Sequence, residues 1–342
     1  MKNTYKAVQV TAPQTFELVE LPLKTTGPGQ VRLSVEACGV CHTDALTVDG
    51  QFPGLSLPRV PGHEVIGKID ALGDGVQNWK VGDRVGVGFL GAYCGTCNSC
   101  RRGDFVNCQH QPLFGIHLDG GYAESMIAPA QALAAVPSEL KSAEAAPLLC
   151  AGLTTFKALR KSNARAGDLV AIQGIGGLGH LAIQFARYMG FRVVAIARDT
   201  SKKDLALKLG AHHYIDSTRE NAATELQKLG GARLIVATAA NSGSMSPLVP
   251  GLVPCGQMIV VGGGGADPVA LNPVDLLFGE RVVEGTMTGS VPETEDTLAF
   301  SVLQSIRPMI ETFPLENAEA AYGKMMRNEA RFRTVLTMNN NA

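Results

Sequence analysis

Six consecutive residues, Gly39-Val40-Cys41-His42-Thr43-Asp44, bring a thiol, an imidazole, a hydroxyl and a carboxylate side by side. A single cysteine is more often a small buried hydrophobe than a ligand. Two distant segments shift that balance. Pro61-Gly62-His63-Glu64 offers another imidazole and carboxylate after a Gly/Pro turn, and Leu149-Cys150-Ala151-Gly152 offers another thiol in an apolar run. Cys41, His63 and Cys150 together supply two thiolates and one imidazole, a donor set that suits Zn²⁺. Three protein ligands leave the fourth position open for catalysis. Cys94, Cys97, Cys100 and Cys108 form the most specific local pattern. Four thiolates in one short loop can close around a second, structural Zn²⁺ with no position free. The alternative is a pair of disulfides, which a reducing compartment disfavours.

A third group of residues suits a nucleotide. Gly174-Ile175-Gly176-Gly177-Leu178-Gly179 follows the apolar run Leu169-Val170-Ala171-Ile172-Gln173 and precedes a helical run from His180 to Tyr188. Arg192-Val193-Val194-Ala195-Ile196 is the next strand. The glycine pattern is weak alone and stronger inside such a βαβ unit. Its glycines permit a tight turn and close approach of the backbone to a pyrophosphate at a helix N-terminus. With later strands at Leu234–Ala237 and Met258–Val261, this half of the chain reads as a Rossmann domain.

The first half reads differently. Short alternating runs such as Lys6–Val10, Val31–Val35 and Val65–Ile69 are separated by turn signals such as Gly27-Pro28-Gly29 and Gly73-Asp74-Gly75. They predict an all-β region from residue 4 to about 90, rolled into a barrel, with Cys41 at a strand end. The 342 residues are enough for two domains. A net charge of −1, with no basic stripe, excludes an electrostatic pull toward nucleic acid. No apolar run is long enough to span a bilayer, and the start lacks the apolar core of a signal peptide. No nucleic-acid or membrane partner is expected, and the compartment expected is the cytoplasm.

These motifs resemble the zinc-dependent medium-chain alcohol dehydrogenases, in their bacterial, yeast-like and cinnamyl-alcohol-type branch, over nearly the whole chain. The resemblance implies an α/β fold with a β barrel. A GroES-like catalytic domain (residues 1–150) would be interrupted by a Rossmann domain (151–288), and the chain would return to the first domain over 289–342. It implies that Cys41, His63 and Cys150 hold a catalytic zinc, and that Cys94, Cys97, Cys100 and Cys108 hold a structural one. Thr43 matches the hydroxyl that touches the substrate oxygen, and Asp44 the carboxylate that orients His63. Glu64 matches an acid behind the zinc. His42 and Arg333 match groups that neutralise the pyrophosphate, and Thr154 and Leu178 match residues packed against the nicotinamide. Phe52 and Phe89 match aromatic positions of the substrate pocket. The family also implies a homodimer or homotetramer.

The implied reaction moves a hydride between an alcohol, or its aldehyde or ketone, and a nicotinamide cofactor. Zinc acts as a Lewis acid that favours the alkoxide near neutral pH, and Thr43 passes the proton on. Two rivals share the motifs: a related zinc dehydrogenase acting on a polyol or formaldehyde, and a redox-sensing nucleotide-binding protein without turnover.

The sequence departs from the family twice. Many relatives carry a relay histidine where this chain has Leu46. NAD-dependent relatives place an acid at the end of the second Rossmann strand, where this chain has Ala197 followed by Arg198. An acid there repels a 2′-phosphate, whereas Arg198 offers charge-assisted hydrogen bonds. Lys202 adds positive charge. NADP(H) is therefore expected to be favoured over NAD(H). Cys38 and Cys255 are expected to be buried and inert, and His212-His213 to lie at a surface turn.

Overall fold

The computed structural model describes residues 3–263 and 267–338; Met1, Lys2 and the polar tail Asn339 to Ala342 lie outside them. The chain divides into two compact units. One comprises Met1–Cys150 and Thr288–Ala342, the other Ala151–Met287.

The first unit is organised by the strand Gln30–Val40. Val31, Leu33 and Val35 alternate inward with half-buried neighbours, and its last four residues are all buried. One edge pairs with Val65–Leu72 from Val31 to Cys38. The other edge changes partner midway: residues 30–34 pair with Ser125–Pro129, and residues 37–40 pair with Arg333–Thr337. Register shifts between Arg32 and Leu33 and between Val35 and Ala37 bend the strand, so one sheet wraps around a core of Leu33, Val35, Ile69, Val85 and Leu336. Each such buried side chain contributes about 1.5–3 kcal/mol. A slip of one residue would turn this whole set outward, so the core itself holds the register.

That register gathers the chemistry. Cys38 lies opposite Val65, and the Gly39 N–H donates to the Glu64 carbonyl at 2.9 Å. Val40 lies opposite Thr334. Cys41, His63-Glu64 and Arg333 thus leave neighbouring strands at the same end of the sheet.

The second unit contains a six-stranded parallel sheet. Numbered along the chain, its strands are Leu169–Gln173, Arg192–Ala197, His213–Asp216, Ala232–Ala237, Leu252–Val260 and Val282–Gly285, in spatial order 3-2-1-4-5-6. This is the dinucleotide-binding order, with the strand order reversing beside the first strand. Leu169–Gln173 is buried at every residue, as a central parallel strand must be.

Two sequence expectations are corrected here. Cys255 is exposed, not buried. The pairing jumps from Ala232–Leu252 to Leu234–Gln257, and the extra residues bulge, with Cys255 at φ 56° and its thiol 3.8 Å from Glu280 Oε2. His213 is not in a turn: it opens a strand, while the exposed His212 accepts the Val193 N–H through Nδ1 at 2.9 Å. Backbone pairing to the neighbouring strand outweighs the local turn signal there.

Candidate metal and cofactor sites

Cys41 precedes a short 3₁₀ turn, His42–Asp44, which returns the Asp44 carboxylate to the Cys41 N–H at 2.9 Å. The other Asp44 oxygen lies 3.0 Å from His63 Nδ1. One buried carboxylate therefore fixes both a thiol and an imidazole, leaving His63 Nε2 to face the thiols. Cys150 arrives from the turn Ala146–Leu149, buried against the sheet, and its sulfur lies 3.9 Å from that of Cys41. The edge of a tetrahedron with arms of about 2.3 Å is about 3.8 Å, so the spacing fits two thiolates on one zinc.

Donor atoms of Cys41, His63, Glu64 and Cys150 all lie within 4.8 Å of one another. His63 Nε2 and Glu64 Oε2 are buried without a hydrogen-bond partner. Such orphaned atoms require an explanation, and a cation between them supplies one. Gly39 makes room: a Cβ there would fall 1.9 Å from Glu64 Oε2.

The electrostatics agree. A hydrogen bond from Cys150 holds the Cys41 thiol well below its usual range, and the same bond pushes Cys150 up. Burial opposes a charge on His63, but Asp44 and Cys41 outweigh it and raise the imidazole well above its ordinary value. Burial pushes the Glu64 carboxyl up to about 7, against the pull of Arg333. These groups share protons that a divalent cation would displace.

In the loop from Cys94 to Cys108, four sulfurs converge in the same way, with Cys94 and Cys100 at 4.0 Å. All eight cysteines are free, so the disulfide alternative is not formed. Hydrogen bonds from Thr96 hold Cys94 down to about 5, whereas burial pushes Cys100 up to about 12. Four thiols this close cannot all ionise without a cation.

The glycine turn divides its labour. Gly174 adopts φ +90°; Gly176 has nothing within 4 Å of an added Cβ; a Cβ on Gly179 would fall 1.8 Å from the Gly174 carbonyl. These features match the tight turn, the open approach and the close helix packing that a dinucleotide site requires. Among the described residues, the N–H groups of Gly176, Gly177 and Leu178 have no acceptor at the start of the helix Gly179–Tyr188. The Thr238 hydroxyl, unnoticed in the sequence, pins the turn by donating to the Gln173 and Gly174 carbonyls at 2.9 and 3.1 Å.

Family models for the alcohol dehydrogenase GroES-like domain and the zinc-binding dehydrogenases match residues 27–138 and 177–304. The chain is 42% identical to the alcohol dehydrogenase patD of Penicillium expansum, over 98% of both chains. The chain belongs to the zinc-type medium-chain alcohol dehydrogenases. Its activity is that of a zinc-dependent alcohol or aldehyde oxidoreductase, and its two units are the GroES-like and Rossmann parts of that fold. Two solved structures are close in shape. One is CAD from Helicobacter pylori complexed with NADP(H), with TM-score 0.88, 27% identity and complete coverage of both chains. The other is acetophenone reductase from Geotrichum candidum in complex with NAD, with TM-score 0.87, 27% identity and 98% coverage of both. The fold alone therefore does not choose between the two nucleotides.

The remaining sequence candidates of this dehydrogenase are placed as follows. Thr43 is half-buried, with its hydroxyl 3.6 Å from the Cys41 sulfur; His42 and Leu46 are exposed. Arg333 is buried and donates through Nη2 to Glu64 Oε1, a partner the sequence did not suggest. Phe89 packs edge-on against His63 with ring centroids 5.1 Å apart, whereas the ring contact of Phe52 is with His117. Thr154 is buried on the helix Ala151–Lys161, and Leu178 is half-buried at the N-cap of the helix after the glycine turn. Ala197 ends its strand, Arg198 is exposed, and Lys202 donates to the Ile175 carbonyl at 2.8 Å. Tyr122 is the main omission. Its hydroxyl reaches Asp44 from 78 residues away, and no local pattern signals that.

Proposed function

We propose that this alcohol dehydrogenase binds two zinc ions per chain and works with NADP(H) in preference to NAD(H). Cys41, His63 and Cys150 hold the zinc that faces substrate, and Cys94, Cys97, Cys100 and Cys108 hold the one that closes their loop. The observation that carries the reading is the partnerless His63 Nε2 aimed at two thiols spaced as a tetrahedron edge. When bound, zinc supplies a Lewis acid for the substrate oxygen and the nicotinamide supplies the hydride carrier.

The chain's own residues do the rest. Asp44 holds the imidazole in the tautomer that presents Nε2. Thr43 takes the alcohol proton and passes it to His42 or to the cofactor ribose, since the side chain at 46 cannot carry one. Among the described residues Arg333 makes one side-chain hydrogen bond, to Glu64, and its Nε has no partner, so donors are left for a phosphate. Phe89 forms an aromatic wall beside His63, which suits a primary or secondary alcohol with an apolar body. Turnover of aliphatic, aromatic and polyol substrates and of formaldehyde, with each cofactor, tests the assignment. No turnover of any of them by protein carrying both zincs would overturn it.

The cofactor preference rests on Arg198. It makes no hydrogen bond or ion pair among the described residues, and Lys202 lies against the glycine turn. A hydrogen bond to a charged group contributes about 1.5–3 kcal/mol, or about tenfold to a hundredfold. Exposure of Arg198 places the expectation at the lower end. Arg198→Ala should cut the ratio of kcat/KM for NADP(H) over NAD(H) about tenfold. An unchanged ratio, or a wild type that favours NAD(H), would refute the preference.

Assembly as a homodimer or homotetramer is supported by the open sheet edge Val282–Gly285 and by Leu277 and Phe278, 74% and 78% exposed. Light scattering reads the subunit number. Eight free thiols, seven of them in the two clusters or buried, favour a reducing compartment such as the cytoplasm. No helix among the described residues is long and apolar enough to cross a membrane.

A further inference from the structure

We infer that Tyr122 is a positioning residue for the zinc held by Cys41, His63 and Cys150, an inference that rests on that reading of the site. Tyr122 is fully buried, and its hydroxyl donates to Asp44 Oδ2 at 2.9 Å. The same oxygen accepts the Cys41 N–H at 2.9 Å, and Asp44 Oδ1 lies 3.0 Å from His63 Nδ1. Asp44 thus ties two zinc ligands together, and Tyr122 is the side chain that braces Asp44 from another part of the fold.

The backbone around Tyr122 is shaped to allow this. Residues 120–122 run beside residues 60–62, with Gly120 N–H to Val60 O at 2.7 Å, Gly121 N–H to Gly62 O at 3.1 Å and Tyr122 N–H to Pro61 O at 3.0 Å. Three glycines let the segments approach. A Cβ on Gly62 would lie 2.5 Å from the Tyr122 ring, one on Gly120 would lie 2.1 Å from the Gly62 carbonyl, and one on Gly121 would lie 2.3 Å from Val65. The ring therefore packs against the turn that delivers His63. Phenylalanine would fill the same apolar space. A buried hydroxyl is costly unless bonded, and this one bonds to a carboxylate, the stronger kind of partner.

Without that hydroxyl the Asp44 carboxylate loses a donor and is held less firmly against His63. Loss of a residue that orients a metal ligand typically costs 10- to 100-fold in metal affinity; Tyr122 acts one step further out, so about tenfold is expected. The test uses full-length protein loaded with zinc, counted by elemental analysis and released to a chromogenic chelator. In Tyr122→Phe one zinc should leave about tenfold faster while the other, in the four-cysteine loop, keeps the wild-type rate and serves as internal reference. A purely structural tyrosine would lower the Tm and leave the ratio of the two release rates unchanged, which would overturn the inference. In an Asp44→Asn background Tyr122→Phe should have no further effect on release, because the phenol acts only through that carboxylate; additive effects would also overturn it. Wild type carrying a single zinc would remove the two-zinc reading and this inference with it. Wild type carrying two, with unchanged release from Tyr122→Phe, would remove this inference alone.

Discussion

Replacing Cys41 or Cys150 by alanine is expected to abolish turnover and leave a folded protein that holds one zinc. The two sulfurs are adjacent donors at 3.9 Å, so either change removes a third of the proposed donor set and exposes His63 Nε2 to an incomplete site. A Lewis acid at the reacting oxygen is worth several kcal/mol. At 1.36 kcal/mol per decade its loss slows the reaction about a thousandfold or more. The fold should survive because neither sulfur belongs to the aliphatic core of the unit, which is built from Leu33, Val35, Ile69, Val85 and their neighbours. Elemental analysis and circular dichroism on the same preparation check both halves. A Cys41→Ala protein that kept two zincs, or most of its activity, would show that the cation and the chemistry lie elsewhere.

Cys97→Ala should do the opposite, lowering the Tm by on the order of 10 °C while touching catalysis only through instability. The hydrophobic cluster of this loop consists of its own four cysteines, with no aliphatic side chain among them. Its only regular element is the single turn Asn98–Arg101, and the bridge between Leu90 and Leu113 joins the segments that flank the loop. Beyond the Tyr93–Phe105 ring pair there is little apolar surface to bury, so the loop would take its stability from the proposed metal. Structural zinc contributes about 10 kcal/mol or more in small metal-folded domains, and a domain of this size shifts by about 2–4 °C per kcal/mol. The loss stops when the loop has opened, since the sheet beneath it has its own core. Differential scanning calorimetry with zinc counting reads the result. A Cys97→Ala protein with a wild-type melting temperature but no turnover would reverse the roles of the two metal groups.

The sequence alone determined what is local or compositional. The Cys94–Cys108 spacing, the glycine turn between a strand and a helix, and the absence of any basic stripe are each contained in a short stretch or a count. Chain-order physics acts on them directly. The grouping of Cys41 with His63 and Cys150 was suggested by residue types, two thiols and an imidazole being a set that suits zinc, and the fold brings those donors within 4.8 Å of one another. Tertiary structure decided everything that depends on which strands lie side by side. The partner switch of Gln30–Val40 sets Arg333 against Glu64, so an arginine expected at a phosphate is also half of a buried ion pair. Gly62, Gly120 and Gly121 bring Tyr122 to Asp44 across a gap that no periodicity spans. The bulge before Gln257 turned Cys255 out to solvent. In each case the deciding quantity is a register between distant segments. That register is held by the burial of many side chains at once, so it is not written at the position where its consequence appears.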